Sequence, residues 1–249
     1  MEKLRVFEAF CGYGSQALAL ERLAEDFPEF SFEVVGVSDI DPYPLQAYQA
    51  LHGHCPNYGD ISEIDWDKVP DFDLFTYSFP CTDISGAGQQ QGFAEGSGTR
   101  SSLLWECRKA ILAKKPKYLL MENVKALVSK KFMPLYQTWL DWLEVAGYKS
   151  KWAIMNAKDF GVAQNRERVF CWSCLDDEDI DSFEFPEPFE LEKRLVDYLE
   201  EDVDEKYFLS DEALKYFQRV HDDESHGHKF IPRGGMTQPL LSEPSPEAE

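Results

Sequence analysis

Three short clusters in this chain each close an apolar run and carry side chains with chemistry. Ser78-Phe79-Pro80-Cys81 ends the run DFDLFTYSF. Pro80 fixes the backbone just before the cysteine. The polar, glycine-rich TDISGAGQQQGF that follows argues against burial of Cys81. A cysteine attacks through its thiolate, so it needs a lowered pKa or a nearby proton acceptor. Met121-Glu122-Asn123-Val124 ends the run KYLLMENV. A carboxyl there is costly unless paired or functional. Burial would raise its pKa and suit it to donating a proton; a salt-bridged strand end is the alternative. Gln164-Asn165-Arg166-Glu167-Arg168 precedes VFCWSCL. Alternating arginines on an extended segment lie on one side. One is placed to pair with Glu122 while the other contacts a base or phosphate; the alternative is a solvated charged turn.

Three more positions lie further upstream. Phe10-Cys11-Gly12-Tyr13-Gly14 ends the first apolar run, where glycines allow a tight turn and close approach of a ligand. It lacks the third glycine of a dinucleotide fingerprint, and no phosphate-loop lysine follows. Asp39 follows FEVVGVS and can accept from ribose hydroxyls, or cap a helix as Asp41 can. Gly59-Asp60-Ile61 precedes the third run. Alone it is a turn, but the order strand, GxG, helix, strand, Asp, Gly-Asp is the layout of a nucleoside cofactor pocket.

The elements that must position these residues alternate. Strands are expected at LRVFEAF, FEVVGVSDI, DFDLFTYSF, KYLLMENV, YKSKWAIMNA and ERVFCWSCL. Helices are expected at SQALALERLAEDF, PYPLQAYQALHG, SLLWECRKAILAKK and around MPLYQTWLDWLEVAG. Such alternation predicts an α/β fold, a doubly wound and mostly parallel sheet with helices on both faces. Ligands then sit at the carboxyl ends of the strands. The expected division is residues 1–175 as the catalytic domain and 176–249 as a short acidic C-terminal extension. In the extension, DDEDIDSFEFPEPFE reads as a linker or surface loop, and LEKRLVDYLEE and LSDEALKYFQRV as helices, the latter capped by Ser210. The stretch HGHKFIPRGGMTQPLLSEPSPEAE reads as irregular, with a disordered end.

Composition bounds the partners. The formal net charge is −21 over 249 residues, whereas nucleic-acid binders present basic faces. Lys and Arg concentrate between Arg100 and Arg168, so a local basic cleft is compatible with an acidic tail. Six cysteines are present. Cys171 and Cys174 flank Trp172 in an apolar run and read as buried strand residues rather than a zinc or redox pair. No metal site is expected. No uncharged apolar run of about 18 residues occurs, so no membrane span is expected. No signal-peptide pattern opens the chain, and the expected location is cytoplasmic.

In register, FxGxG, the acid after the second strand, GD, PC, ENV and QxRxR resemble the cytosine-5 DNA methyltransferase family across residues 4 to 175. The resemblance implies a Rossmann-like S-adenosylmethionine-dependent methyltransferase fold. It places S-adenosylmethionine against Phe10, Gly12, Tyr13, Gly14, Asp39, Ile40, Asp60, Ile61 and Pro80. Phe10 would stack on the adenine, Asp39 hold the ribose and Asp60 the adenine amino group. It implies double-stranded DNA with a flipped cytosine as partner. Cys81 would add to ring carbon 6, and Glu122 would bind or protonate ring nitrogen 3. Arg166 and Arg168 would hold the base, the loop or Glu122. Ser85 and Gln164 would contact DNA. Cytosine-N4 and adenine-N6 methyltransferases would instead need an Asp/Asn-Pro-Pro-aromatic tetrad. Asp41-Pro42-Tyr43-Pro44 lacks the second consecutive proline.

The resemblance also implies a target-recognition region after the QxRxR strand and a late Gly-Asn segment that completes the cofactor pocket. Seventy-four residues follow Leu175, with no Gly-Asn pair among them. The expectation is a truncated or degenerate chain, or one with a second polypeptide supplying target recognition. A regulatory subunit of a split methyltransferase and an RNA cytosine-5 methyltransferase are the competing readings.

Overall fold

The computed structural model describes residues 3–85 and 90–215. The chain divides into two compact units, Met1–Leu195 and Val196–Glu249. The first holds a six-stranded sheet: β1 (Leu4–Ala9), β2 (Phe32–Ser38), β3 (Leu74–Tyr77), β4 (Tyr118–Val124), β5 (Lys149–Asn156) and β6 (Glu167–Cys174). Their order across the sheet is β2-β1-β3-β4-β6-β5. β1 pairs parallel with β2 and β3, and β3 pairs parallel with β4. β6 runs antiparallel to both neighbours. The doubly wound, mostly parallel α/β sheet expected from the alternation is what the chain forms.

Period-two alternation sorts the strand residues between two layers. Phe7, Ala9, Phe75, Tyr77, Leu119, Met121, Val169 and Cys171 are buried in one core with Ile111 of α3 (Cys107–Lys114) and Trp139 and Leu143 of α4 (Met133–Val145). On the other face, α1 (Ser15–Asp26) and α2 (Pro42–His52) bury Ala17 and Tyr48 with Val37 of β2. Rings dominate the first core. Phe7 lies 5.2–6.1 Å, centroid to centroid, from Tyr58, Trp66, Phe72 and Phe75, within the range where aromatic pairs attract beyond simple area burial.

Helix ends follow their local chemistry. α2 starts at Pro42 because Asp41 accepts from the Tyr43 N–H and proline suits the first helical position. The helix expected over SLLWECRKAILAKK is split. Arg100–Glu106 forms a 3-10 turn and only Cys107–Lys114 is α-helical.

The acidic segment departs from expectation. A short helix, α5 (Asp177–Ser182), follows β6 where a loop was expected. Ile180 is buried, and its burial on the sheet edge anchors the turn despite the surrounding acids. LEKRLVDYLEE forms only a 3-10 turn, Leu195–Tyr198. Leu195, Val196, Tyr198 and Leu199 are all more than half exposed and Leu191 alone is partly buried, so no buried stripe supports a longer helix. Residues 211–215 are helical, and the Ala213 N–H reaches Ser210 Oγ at 3.3 Å, as the cap predicted. Residues 216–220 of the expected helix, the stretch from His226, and Gly86–Gln89 of the loop after Cys81 lie outside the described residues.

All six cysteines are free, with Cys171 and Cys174 buried in β6. Phe7→Ala should lower unfolding free energy by about 3–5 kcal/mol through the cavity it leaves. A shift in the denaturant midpoint at constant slope checks this; a change below about 1 kcal/mol would mean the ring cluster is not the core's anchor.

Candidate functional site

Pairing in register aligns the carboxyl ends of the parallel strands. Ala9 pairs with Ser38 and Tyr77, and Tyr77 with Met121. The chain next passes through Phe10 after β1, Asp39 after β2, Ser78–Cys81 after β3 and Glu122–Val124 at the end of β4. The predicted residues therefore converge on one sheet edge. The switch point lies between β1 and β3, where the chain leaves for β2 and returns, and open α/β sheets bind ligands there.

Phe10, Gly12 and Gly14 all have positive φ, at 56°, 55° and 84°, so the turn winds tightly into α1. The Gly12 N–H donates to Asp39 Oδ2 at 2.9 Å, while Asp39 Oδ1 accepts from the Asp41 N–H. Asp39 thus ties the β1 turn to the β2 turn. A Cβ added at Gly12 or Gly59 would meet no atom within 4 Å. Backbone is bare on both sides of this crevice. Tyr13, Ile40 and Tyr43 expose apolar surface beside it, at 57%, 68% and 79%. Asp60 Oδ1 accepts from both the backbone and hydroxyl of Ser62. Ile61 differs: its side chain is buried in the core, so it supports the turn from below.

Cys81 is half-buried, on a turn its own carbonyl organises by accepting from the Ile84 and Ser85 N–H groups. Asp83 and Ser101 exchange two hydrogen bonds of 3.1 Å, which pin this turn to the 3-10 segment before α3. Asn123 Nδ2 donates to the Phe79 carbonyl at 2.9 Å, locking the end of β4 to the segment before Pro80.

Glu122 and Arg168 meet. Glu122 faces Phe170 across the β4–β6 ladder, and Arg168 lies two residues along β6 on the same face. Arg168 Nε is 2.9 Å from Glu122 Oε1, with side chains 22% and 20% exposed. Burial lifts the Glu122 carboxyl above the ordinary carboxylate range; Arg168, Arg166 and a hydrogen bond from Ser78 pull the other way. Ser78 in turn accepts from Gln16 Nε2 at 2.8 Å. Arg166 is exposed and held through its backbone by Asn156. Gln164 is exposed on the preceding turn. A cavity of about 490 Å³ opens here, lined by Gln16 and Leu20 of α1, Thr76, Ser78, Glu122, Arg166, Arg168 and other residues of the sheet face.

Sequence reasoning singled out no role for Gln16 or for the Ser78 hydroxyl, and it missed Glu8, Tyr48 and His52 beneath the glycine turn. Gln16 and His52 stand within helices and announce themselves through no motif. An isolated glutamate in the strand LRVFEA was the one available signal, since a buried acid demands partners.

Comparison with known proteins bears on this site. Residues 4–242 match the family model for C-5 cytosine-specific DNA methylase. Type II methyltransferase M2.ScrFI of Lactococcus lactis subsp. cremoris is 42% identical over 264 residues, covering 85% of this chain and 71% of that protein. Type II methyltransferase M.NlaX of Neisseria lactamica is 38% identical, covering 86% and 66%. Among solved structures, S. pombe Dnmt2 methyltransferase superposes with a TM-score of 0.62 at 23% identity, covering 87% and 66%. The Entamoeba histolytica methyltransferase EhMeth gives 0.67 at 19%, covering 89% and 67%. These two show the shared fold. The chain spans about two thirds of the length of these relatives. With its sheet order, its turn cysteine and its arginine-paired glutamate, the chain belongs to the C-5 cytosine-specific DNA methylase family.

Proposed function

We propose that this chain transfers a methyl group from S-adenosylmethionine to carbon 5 of cytosine in DNA, with Cys81 as covalent nucleophile. The observation that carries the reading is the half-buried Glu122, bonded to Arg168 and raised by burial, at the same sheet edge as the half-exposed Cys81.

The residues fit the cofactor. The bare backbone at Gly12 and Gly59 leaves room for a ligand to approach, Asp39 and Asp60 offer carboxylate acceptors, and Phe10, Tyr13 and Ile40 offer apolar surface. Pro80, just before Cys81, would border the cofactor on that side. S-adenosylmethionine, when bound there, supplies an electrophilic methyl group. Carbon 5 of cytosine is a poor nucleophile until something adds at carbon 6. Cys81 Sγ forms that bond, and the ring's electron pair shifts toward nitrogen 3. Glu122 delivers a proton, or a short hydrogen bond, to that nitrogen and so stabilises the shifted charge. Arg168 fixes the Glu122 carboxyl, and Arg166 extends the positive edge toward the base or phosphate. Once carbon 5 carries the methyl group, a base takes its proton, Glu122 recovers the proton from nitrogen 3, and the Cys81 thiolate leaves as the ring double bond re-forms. The target base must leave the duplex to reach this edge. Ser85, whose N–H donates to the Cys81 carbonyl, and the exposed Gln164 would contact the flanking strand.

Residues 1–175 hold this machinery in our reading. The acidic extension is a poor groove reader. Among the described residues no helix is long and apolar enough to cross a membrane. The RNA reading gains no specific support.

Labelled S-adenosylmethionine with cytosine-containing duplex DNA should yield methylated DNA. A duplex carrying 5-fluorocytosine should trap a denaturant-stable adduct that Cys81→Ser abolishes. An adduct that survives in Cys81→Ser, or no transfer and no adduct with wild-type protein, sinks the proposal.

Glu122 gives a second test. Its raised carboxyl binds a proton more tightly in the folded state than in the unfolded chain. Stability from this group is therefore present at low pH and lost as pH rises from the unfolded pKa through the folded one. Glu122→Gln keeps the neutral form at every pH. It should melt above wild type at pH 7, converge with wild type in acid, and transfer methyl groups at least about a hundredfold more slowly. A variant that melts lower at pH 7 or retains full rate contradicts the assignment.

A further inference from the structure

Beneath the glycine turn lies a polar cluster that the mechanism above does not use. His52 is the last residue of α2, and its side chain is only 4% exposed. Its Nε2 lies 3.0 Å from the Tyr13 carbonyl oxygen, and its Nδ1 lies 2.8 Å from Glu21 Oε1 on α1. A carbonyl and a carboxylate both only accept, so Nε2–H donates to Tyr13 and Nδ1–H donates to Glu21. The ring packs on Tyr48 at 4.8 Å between centroids. Tyr48 donates to Glu8 Oε2 at 2.6 Å, and Glu8 Oε1 accepts from the Ala17 N–H at 3.0 Å. Glu8 is fully buried. The cluster thus joins β1, α1 and α2 under one turn.

Gly14 shows how closely the turn rests on it. A Cβ there would lie 2.5 Å from His52 Nε2 and 2.7 Å from Tyr48 Cε2. The turn is held from the opposite direction by Asp39, through the Gly12 N–H. Between them, Asp39 and His52 leave the Phe10–Gly14 backbone one position. Loosening either should blur the crevice without touching Cys81 or Glu122.

We propose that His52 is a positioning residue for the cofactor: its Nε2–H bond to the Tyr13 carbonyl, braced by Glu21, sets the turn that S-adenosylmethionine binds. The inference rests on the reading that this turn holds the cofactor. Preorganisation of this kind governs affinity, because a loosened turn must be reordered on binding.

The test uses the full chain and S-adenosylmethionine itself, with affinity from calorimetry and the methyl-transfer rate from single turnovers at saturating cofactor. His52→Ala should weaken binding about tenfold, as expected for losing one well-placed hydrogen bond. The saturated rate should stay within about twofold, because the residues that handle the base are untouched. His52→Gln should recover most of the affinity, since its carboxamide N–H reaches the place of Nε2. Should His52→Ala fail to fold, Glu21→Ala decides, with an expected loss of about threefold in affinity and an unchanged saturated rate. Wild-type binding in a folded His52→Ala, or a glutamine variant no better than alanine, overturns the inference while leaving the cofactor reading intact. Failure of the wild-type chain to bind S-adenosylmethionine removes both.

Discussion

The site depends on the in-register parallel pairing of β1, β3 and β4. Parallel strands point their carboxyl ends the same way, so three segments distant in sequence release their turns at one edge. Ala9, Tyr77 and Met121 stand side by side. Whatever residue follows each of them is delivered to that edge without further design. This explains why the glycine turn, the Pro-Cys turn and Glu122 need no long loops to meet. It also explains the short fastenings around them. Asn123 to the Phe79 carbonyl, Asp83 to Ser101 and Asp39 to the Gly12 N–H each fix an angle that the sheet leaves open.

The antiparallel β6 adds what parallel strands cannot. Running back against β4, it brings its amino end, not its carboxyl end, to the same edge. Arg168 thereby faces the strand terminus where Glu122 sits. A guanidinium beside a half-buried carboxylate relieves part of the desolvation cost. Burial still dominates at Glu122, so the group retains its proton above the usual carboxylate range. The balance matters for the chemistry proposed: a fully solvated acid would give up the proton too readily, and an unpaired buried one would lack a fixed orientation.

Legibility in the sequence followed range. The six strands, the four long helical regions and the edge residues were all readable, because each announces itself within a few positions. Pro80 before Cys81 and the glycines after Phe10 are local signals. That one arginine would pair with Glu122 was readable from alternation, but which of Arg166 and Arg168 does so was not. Interactions between distant segments were not readable. Gln16 reaching Ser78 spans 62 positions, and Tyr48 reaching Glu8 spans 40. The failed helix at 191–201 has a different cause. Its residues have adequate propensity, but helices in proteins take most of their stability from a buried face, and Leu195, Val196, Tyr198 and Leu199 in this segment are all more than half exposed. α5 is the converse case: an acidic hexapeptide becomes helical around one buried isoleucine.

The net charge of −21 argued against a DNA partner, and placement within the first unit answers part of that objection. α5 follows the carboxyl end of β6, which is antiparallel to β4, so this acidic helix lies at the sheet edge opposite the site. Two of its acids pair with lysines there. Asp179 pairs with Lys117 at 3.0 Å and accepts from the Tyr118 hydroxyl, and Asp177 pairs with Lys149 at 2.9 Å. Lys117 and Lys149 stand at the amino ends of β4 and β5. From Tyr118 to Val124 a strand rises about 20 Å, more than twice the screening length of about 8 Å at physiological salt. The charge of α5 is therefore partly neutralised locally, and the rest is screened before it reaches Arg166 and Arg168. At the working edge, the potential a phosphate meets is set by those arginines and their immediate neighbours, and the overall sign of the chain governs solubility and long-range approach instead.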